Sequence, residues 1–195
     1  MYHGTLVQCG NVHIFCVYMY LSPRWKIPSR FRVLHYTIVS WSAFVYLLIH
    51  AGHGNDLRYF DWVVTTPLLL LALYFTADLT KKQKPVLMLA LLILQMVTIM
   101  FGALAERVHI LFYGVGVITV LGVLYIIWGP LRVKGKYNVL LKYFTVMWTA
   151  YPVVYILSPL GFAVFTDRII DMLFIILSIF SKGVFGIIDM YLIRK

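Results

Sequence analysis

Asp61 and Lys182 are ionisable residues of opposite sign, 121 positions apart, each inside a stretch apolar enough to lie in lipid. A charge at that depth is expensive and by default marks a functional site. Lys182 is near the middle of its segment, too deep for its stem to carry the ammonium to the headgroups. It must be satisfied inside the protein, and Asp61 is the candidate partner; a purely structural ion pair is the bland alternative. Arg58 lies one turn before Asp61 and Thr65 four residues after it, so the three share a helix face that only the interior of a bundle accommodates. Asp189 follows Lys182 by seven residues, nearly two turns, on the same stripe and about 10 Å further along the axis. His35, near the start of the second apolar segment, lies at similar depth. Alone it reads as an interfacial histidine at a helix end. Beside Asp189 it makes a carboxylate–imidazole pair that can share a proton, with a titration belonging to the pair.

The elements that must position these residues are membrane helices. With 62% apolar, 16% aromatic and 12% charged residues and a mean hydropathy of +0.89, the chain falls outside the range of soluble domains. Seven stretches, 3–21, 33–51, 59–79, 85–105, 108–128, 141–160 and 168–191, approach or meet the requirement of roughly 20 residues per crossing. The expected fold is an all-α seven-transmembrane-helix bundle forming one domain over residues 1–195, in the cell membrane. Short polar breaks such as HGNDLR, LTKKQKP and SPLGFAVFTDR join the helices. Of the 17 basic residues, all but Arg58, Arg107, Arg168 and Lys182 fall in the first, third and fifth loops and the carboxyl end, which places those regions in the cytoplasm and the amino terminus outside. That distribution also explains the net charge of +10 without nucleic acid, leaving membrane lipid as the partner of the basic residues. The opening MYHGTLVQ has no basic region and no cleavage site, so the first segment is expected to be a retained helix. Cys9 and Cys16 are seven apart on it, about 10 Å, too far to bridge.

Three motifs occur in order: RYFDWVVTTPLLLL from Arg58, WTAYPVVY from Trp148, and SKGVFG around Lys182. Together they closely resemble the third-, sixth- and seventh-helix signatures of microbial rhodopsins, over essentially the whole chain. The resemblance implies that Lys182 carries all-trans retinal as a protonated Schiff base. It makes Asp61 the counterion, the carboxylate that keeps a buried imine protonated against desolvation. It also implies a slot lined by Trp62, Thr66, Leu69, Trp148, Tyr151, Pro152 and Tyr155, with Gln95, Thr98 and Gly102 near the retinal ring, and a leucine at position 69 that favours green absorption.

Ala72 stands where outward proton pumps hold a cytoplasmic carboxylate, and Ser178 where most relatives have a second counterion aspartate. Asp171 cannot take that second place, because eleven residues put it about 16 Å from Lys182 toward the outside. SKGVFGIIDMYLIR, with Asp189 in place, is similar to the xenorhodopsin group, which includes inward proton pumps and a sensory relative. Several members have proline at position 178, and this serine departs from that pattern, lacking proline's backbone restriction and offering a hydroxyl. The expected function is light-driven inward proton transport: the proton leaves through Asp189 and His35, Asp61 stays ionised, and a proton from outside enters past Arg58. Rivals are a photosensor with a separate cytoplasmic transducer, a weak outward pump, a channel, and a pigment-free seven-helix transporter or structural protein. Against a sensor stands the short carboxyl end, IRK, which brings no output domain. Related proteins commonly form trimers or pentamers, implying a homo-oligomer.

Other charges are set aside. Asp78 is expected at headgroup level, Glu106, Arg107 and His109 flank a tight external turn, and Asp167 starts the last helix favourably. A metal centre at His50, His53 and Asp56 would need tetrahedral geometry and further ligands that the sequence does not place, so no metal is expected. No catalytic-triad spacing or nucleotide-binding loop supports an enzyme.

Overall fold

The computed structural model describes residues 14, 16–54, 56–78, 85–131 and 136–194. Among them the chain is helical, without strands, and forms seven rods. These are α1 (residues 16–24), α2 (Ser29–His50), α3 (Leu57–Asp78), α4 (Pro85–Arg107), α5 (Leu111–Trp128), α6 (Lys136–Ile156), and a last rod in which α7 (Asp167–Ser178) passes through a π-helical stretch (Ile179–Val184) into α8 (Phe185–Ile193). Six rods, α2 to α6 and the last, are long and apolar enough to cross a membrane. Most of the expected first span, 3–21, lies outside the described residues.

Prolines and a left-handed residue set several boundaries. α1 ends just before Lys26, whose φ of 50° breaks the right-handed run. α2 starts at Ser29 rather than 33 because Pro28, extended at ψ 140°, accepts Phe31 N–H at 3.1 Å and Arg32 N–H at 3.3 Å on its carbonyl. Pro85 occupies the first position of α4, where its missing N–H costs nothing. α6 stops at Ile156 rather than 160, since Pro159 disfavours helix at the residue before it; the chain turns instead, with Phe162 N–H on the Ile156 carbonyl at 2.8 Å.

Large apolar side chains point outward, among them Val86, Leu111 and Tyr125, at 77%, 76% and 74% exposure. That inversion suits a lipid solvent, in which close packing, not water exclusion, holds helices together. α4 and α5 approach closely at Gly116, where an added Cβ would lie 3.8 Å from the Thr98 carbonyl and the Phe101 Cβ.

The last rod is where the expected uninterrupted helix over 168–191 fails. The π-helical stretch, spanning Lys182, widens the turn and weakens its own backbone ladder. Side-chain hydroxyls bond three of its carbonyls. Tyr143 donates to Phe180 at 2.8 Å, and Tyr18 of α1 donates to Gly183 at 2.7 Å and Lys182 at 3.2 Å. Tyr18 fits only because position 186 is glycine: a Cβ there would overlap its hydroxyl and come within 2.9 Å of His35 Nδ1. Gly186→Ala should therefore destabilise the protein by about 1–3 kcal/mol, the range for overpacking. Gly114→Ala, whose Cβ would meet nothing within 4 Å, should not. Unfolding of both variants in denaturing detergent, followed by circular dichroism, checks the difference.

Candidate functional site

Lys182 and Asp61, 1% and 0% exposed, form an ion pair between the π-helical stretch and α3. Nζ also donates to Ser178 Oγ at 2.9 Å and to Ser42 Oγ at 3.1 Å, so all three ammonium donors are used. Ser178, one turn before the lysine, was legible in the sequence; Ser42, from α2, was not, because nothing in an apolar helix shows which serine faces inward. The other carboxylate oxygen, Asp61 Oδ1, is buried with no protein partner among the described residues. Thr65 is buried beside it, but its hydroxyl returns to the Asp61 carbonyl at 2.8 Å rather than to the carboxylate.

An aromatic cavity lies alongside. Trp62, Thr66, Gln95, Thr98, Gly102, Trp148, Tyr151, Pro152 and Tyr155 line it, and Ser181 closes one side next to Lys182. Leu69 does not line it. It is fully buried in the adjoining apolar cluster with Leu73, Phe144 and Trp148, the last of which lines the cavity. Trp62 is clasped by Tyr59, Tyr151 and Phe174 at centroid distances of 5.2, 5.3 and 5.6 Å. Gln95 is the polar bridge: its amide donates to Thr66 Oγ1 at 3.0 Å, and the Trp148 indole donates to its carbonyl oxygen at 3.1 Å. Thr98 instead pairs with Thr119 of α5 at 2.8 Å. α5 also lines the cavity with Tyr113, Gly116, Val117 and Val120. That stripe has helical spacing, yet α5 is apolar on every side, so periodicity could not choose its inward face.

At one end of the bundle, His35 Nε2 and Asp189 Oδ2 are 2.7 Å apart and both are fully buried. Thr76 of α3 donates to Asp189 Oδ1 at 2.6 Å, a partner without a sequence signal. Tyr18 stands edge-on to the His35 ring at 6.1 Å. Ala72, also fully buried, is part of the apolar core.

At the other end Arg58 turns away from Asp61. It is ion-paired to Glu106 of α4 and reaches Asp171 of α7 at 3.2 Å, while Tyr59 donates to Glu106 at 2.5 Å. Glu106 is thus no ordinary turn charge: it belongs to the last turn of α4 and faces the bundle. Its neighbour Arg107 does make a surface pair, with Asp56 at 2.5 Å, both more than 60% exposed, a type worth little to stability. Among the described residues no group of three or more His, Cys, Asp or Glu is placed to hold a metal ion.

A sequence profile for bacteriorhodopsin-like proteins matches residues 4–195. The chain belongs to that family. It is a multi-pass membrane protein with the microbial-rhodopsin fold. It is 28% identical to sensory rhodopsin-2 of Natronomonas pharaonis over 67% of this chain and 59% of that protein. It is 32% identical to archaerhodopsin-1 of Halorubrum ezzemoulense, over 67% and 54%. The aligned regions thus span less than two thirds of the length of these relatives. Among solved structures, the inward proton pump xenorhodopsin superposes with a TM-score of 0.87 at 28% identity, covering 98% of this chain and 91% of that one.

A buried ion pair is destabilised most by losing one partner, which strands the other charge. In the protein without added ligand, Lys182→Met alone should cost about 3–5 kcal/mol, and Lys182→Met combined with Asp61→Asn should recover most of it. Equilibrium unfolding of the single and double variants in detergent measures this.

Proposed function

We propose that the chain is a light-driven inward proton pump carrying all-trans retinal on Lys182. The observation that carries this reading is the fully buried Asp189–His35–Thr76 cluster, set beyond Lys182 on the far side from Arg58 and Glu106, with an apolar Ala72 in α3. The similarity to the xenorhodopsin inward pump supports it.

The residues present fit retinal. The cavity wall is aromatic, its polar groups are few and mutually bonded, and Ser181 on the wall is the chain neighbour of a buried amine. Lys182 would hold the group covalently through Nζ, Trp62 and Trp148 would flank it, and Asp61 would supply the compensating charge. Bound there, retinal would supply absorption of visible light and an isomerisation that alters how firmly the nitrogen holds its proton. Asp61, tied to Ser42 at 3.4 Å, keeps the Arg58 side negative. Asp189 takes the proton on the other side, and His35 shares it across a 2.7 Å contact. Thr76 fixes the carboxylate so that one oxygen always faces the imidazole. The distribution of basic residues makes that end cytoplasmic. Lipid surrounds the outward apolar side chains, through which copies of the chain associate as a trimer or pentamer.

The second reading, a photosensor acting through a separate partner, is favoured by the similarity to sensory rhodopsin-2. Cells expressing the chain with all-trans retinal should be coloured, and Lys182→Ala should be colourless. Illumination of an unbuffered suspension should raise the external pH, and a protonophore should abolish the change. Asp189→Asn should keep the colour and reduce the pH change about a hundredfold or more, as expected for loss of a positioned proton acceptor. Acidification would overturn the inward reading, and coloured cells without a pH change would leave the sensor.

A further inference from the structure

We propose that Glu106 is the carboxylate through which the Arg58 end of the site exchanges its proton with water. The inference rests on the pump reading only for the direction in which that proton travels.

Four observations carry it. First, Glu106 reaches solvent, its side chain being 21% exposed, whereas Asp61 is fully buried and cannot meet bulk water directly. Second, both its oxygens are held: one by the Arg58 guanidinium, the other by the Tyr59 hydroxyl at 2.5 Å. Third, Tyr59 joins this carboxylate to the interior, since its ring lines the aromatic cavity and packs edge-on against Trp62 at 5.2 Å. Fourth, the turn of α3 between Arg58 and Trp62 carries three buried polar atoms with no protein partner among the described residues: Arg58 Nε, Asp61 Oδ1 and Trp62 Nε1. Buried polar atoms are almost always hydrogen-bonded, and water is the usual partner where protein supplies none. That turn is therefore suited to relay a proton between the Arg58 cluster and the Lys182 amine.

The groups facing Glu106 are Arg58 and Tyr59 of α3, Asp171 of α7 across the guanidinium, and Tyr155 of α6 within electrostatic reach. With both carboxylates ionised, Arg58, Glu106 and Asp171 sum to one negative charge; a proton on Glu106 makes the group neutral while Arg58 keeps Asp171. The step is balanced. A proton from water binds a Glu106 oxygen as its ion pair with Arg58 opens. It then passes inward to the nitrogen of Lys182 after that atom has given up its own proton, and Glu106 returns as the carboxylate paired with Arg58.

The test is flash photolysis of the retinal-loaded full chain in detergent with a pH-indicating dye, which reads proton exchange whatever its direction across a membrane. Glu106→Gln should keep the absorption maximum and slow the uptake phase about a hundredfold, as expected for loss of a positioned proton-transfer group. Millimolar azide, a small diffusible acid, should restore it. Uptake at the parental rate overturns the proposal, as does a slow phase that azide leaves slow, because a merely structural defect is not rescued by an external acid. If Glu106→Gln yields no pigment, Glu106→Asp decides: a displaced pH dependence of the uptake rate supports the assignment and an unchanged profile overturns it. A parent that gives Glu106-dependent dye signals but no external alkalinisation of cells refutes the inward pump and leaves Glu106 in its role.

Discussion

A charge cannot be left alone in lipid, and the architecture around Lys182 follows from that constraint. Removing an ammonium from water costs several kcal/mol even after the protein relaxes, so the lysine must find a carboxylate and fill its remaining donors. Asp61 supplies the charge, while Ser42 and Ser178 supply the neutral oxygens. Those partners come from α2, α3 and α7. Satisfying one nitrogen thus specifies how three helices stand relative to one another, in a bundle whose outer faces carry little such information.

The same nitrogen is placed by a backbone irregularity. The π-helical turn at Ile179–Val184 leaves carbonyls that an ordinary helix would hold more firmly, and Tyr18 and Tyr143 bond them from neighbouring helices. Tyr18 links this turn to the far cluster as well, since its ring adjoins His35. The backbone that aims Lys182 and the imidazole that serves Asp189 share one packing contact, enforced by the absence of a side chain at Gly186.

The two ends of the site differ in chemistry. One is closed: Asp189 is bonded by His35 and Thr76 away from solvent. The other is open, with Arg58 strung between partly exposed carboxylates. The proposed inward pump uses that difference: the closed pair would take up the proton, and the open carboxylate would exchange one with water. Between them lies the Lys182–Asp61 ion pair.

Much of this was legible in the chain alone. The apolar spans, the isolated charges Asp61 and Lys182 and the seven-residue step to Asp189 follow from hydropathy and helical periodicity, which act along one helix, and the three motifs add the resemblance to microbial rhodopsins. Nine of the ten non-covalent pocket residues named from the sequence line the cavity, because motif and spacing together choose a face. Leu69, Ser42, Thr76, Glu106 and the α5 stripe were decided only by tertiary structure. Each owes its place to a contact between helices: a leucine turned into a neighbouring core, hydroxyls delivered across an interface, a carboxylate drawn to an arginine 48 residues away. In a helix apolar all round, periodicity carries no direction, so the inward face is set by packing against neighbours. The sequence by itself determined that charges lie in the membrane and on which helices; which of them meet was settled by the bundle, since only assembled helices offer a buried charge its partner.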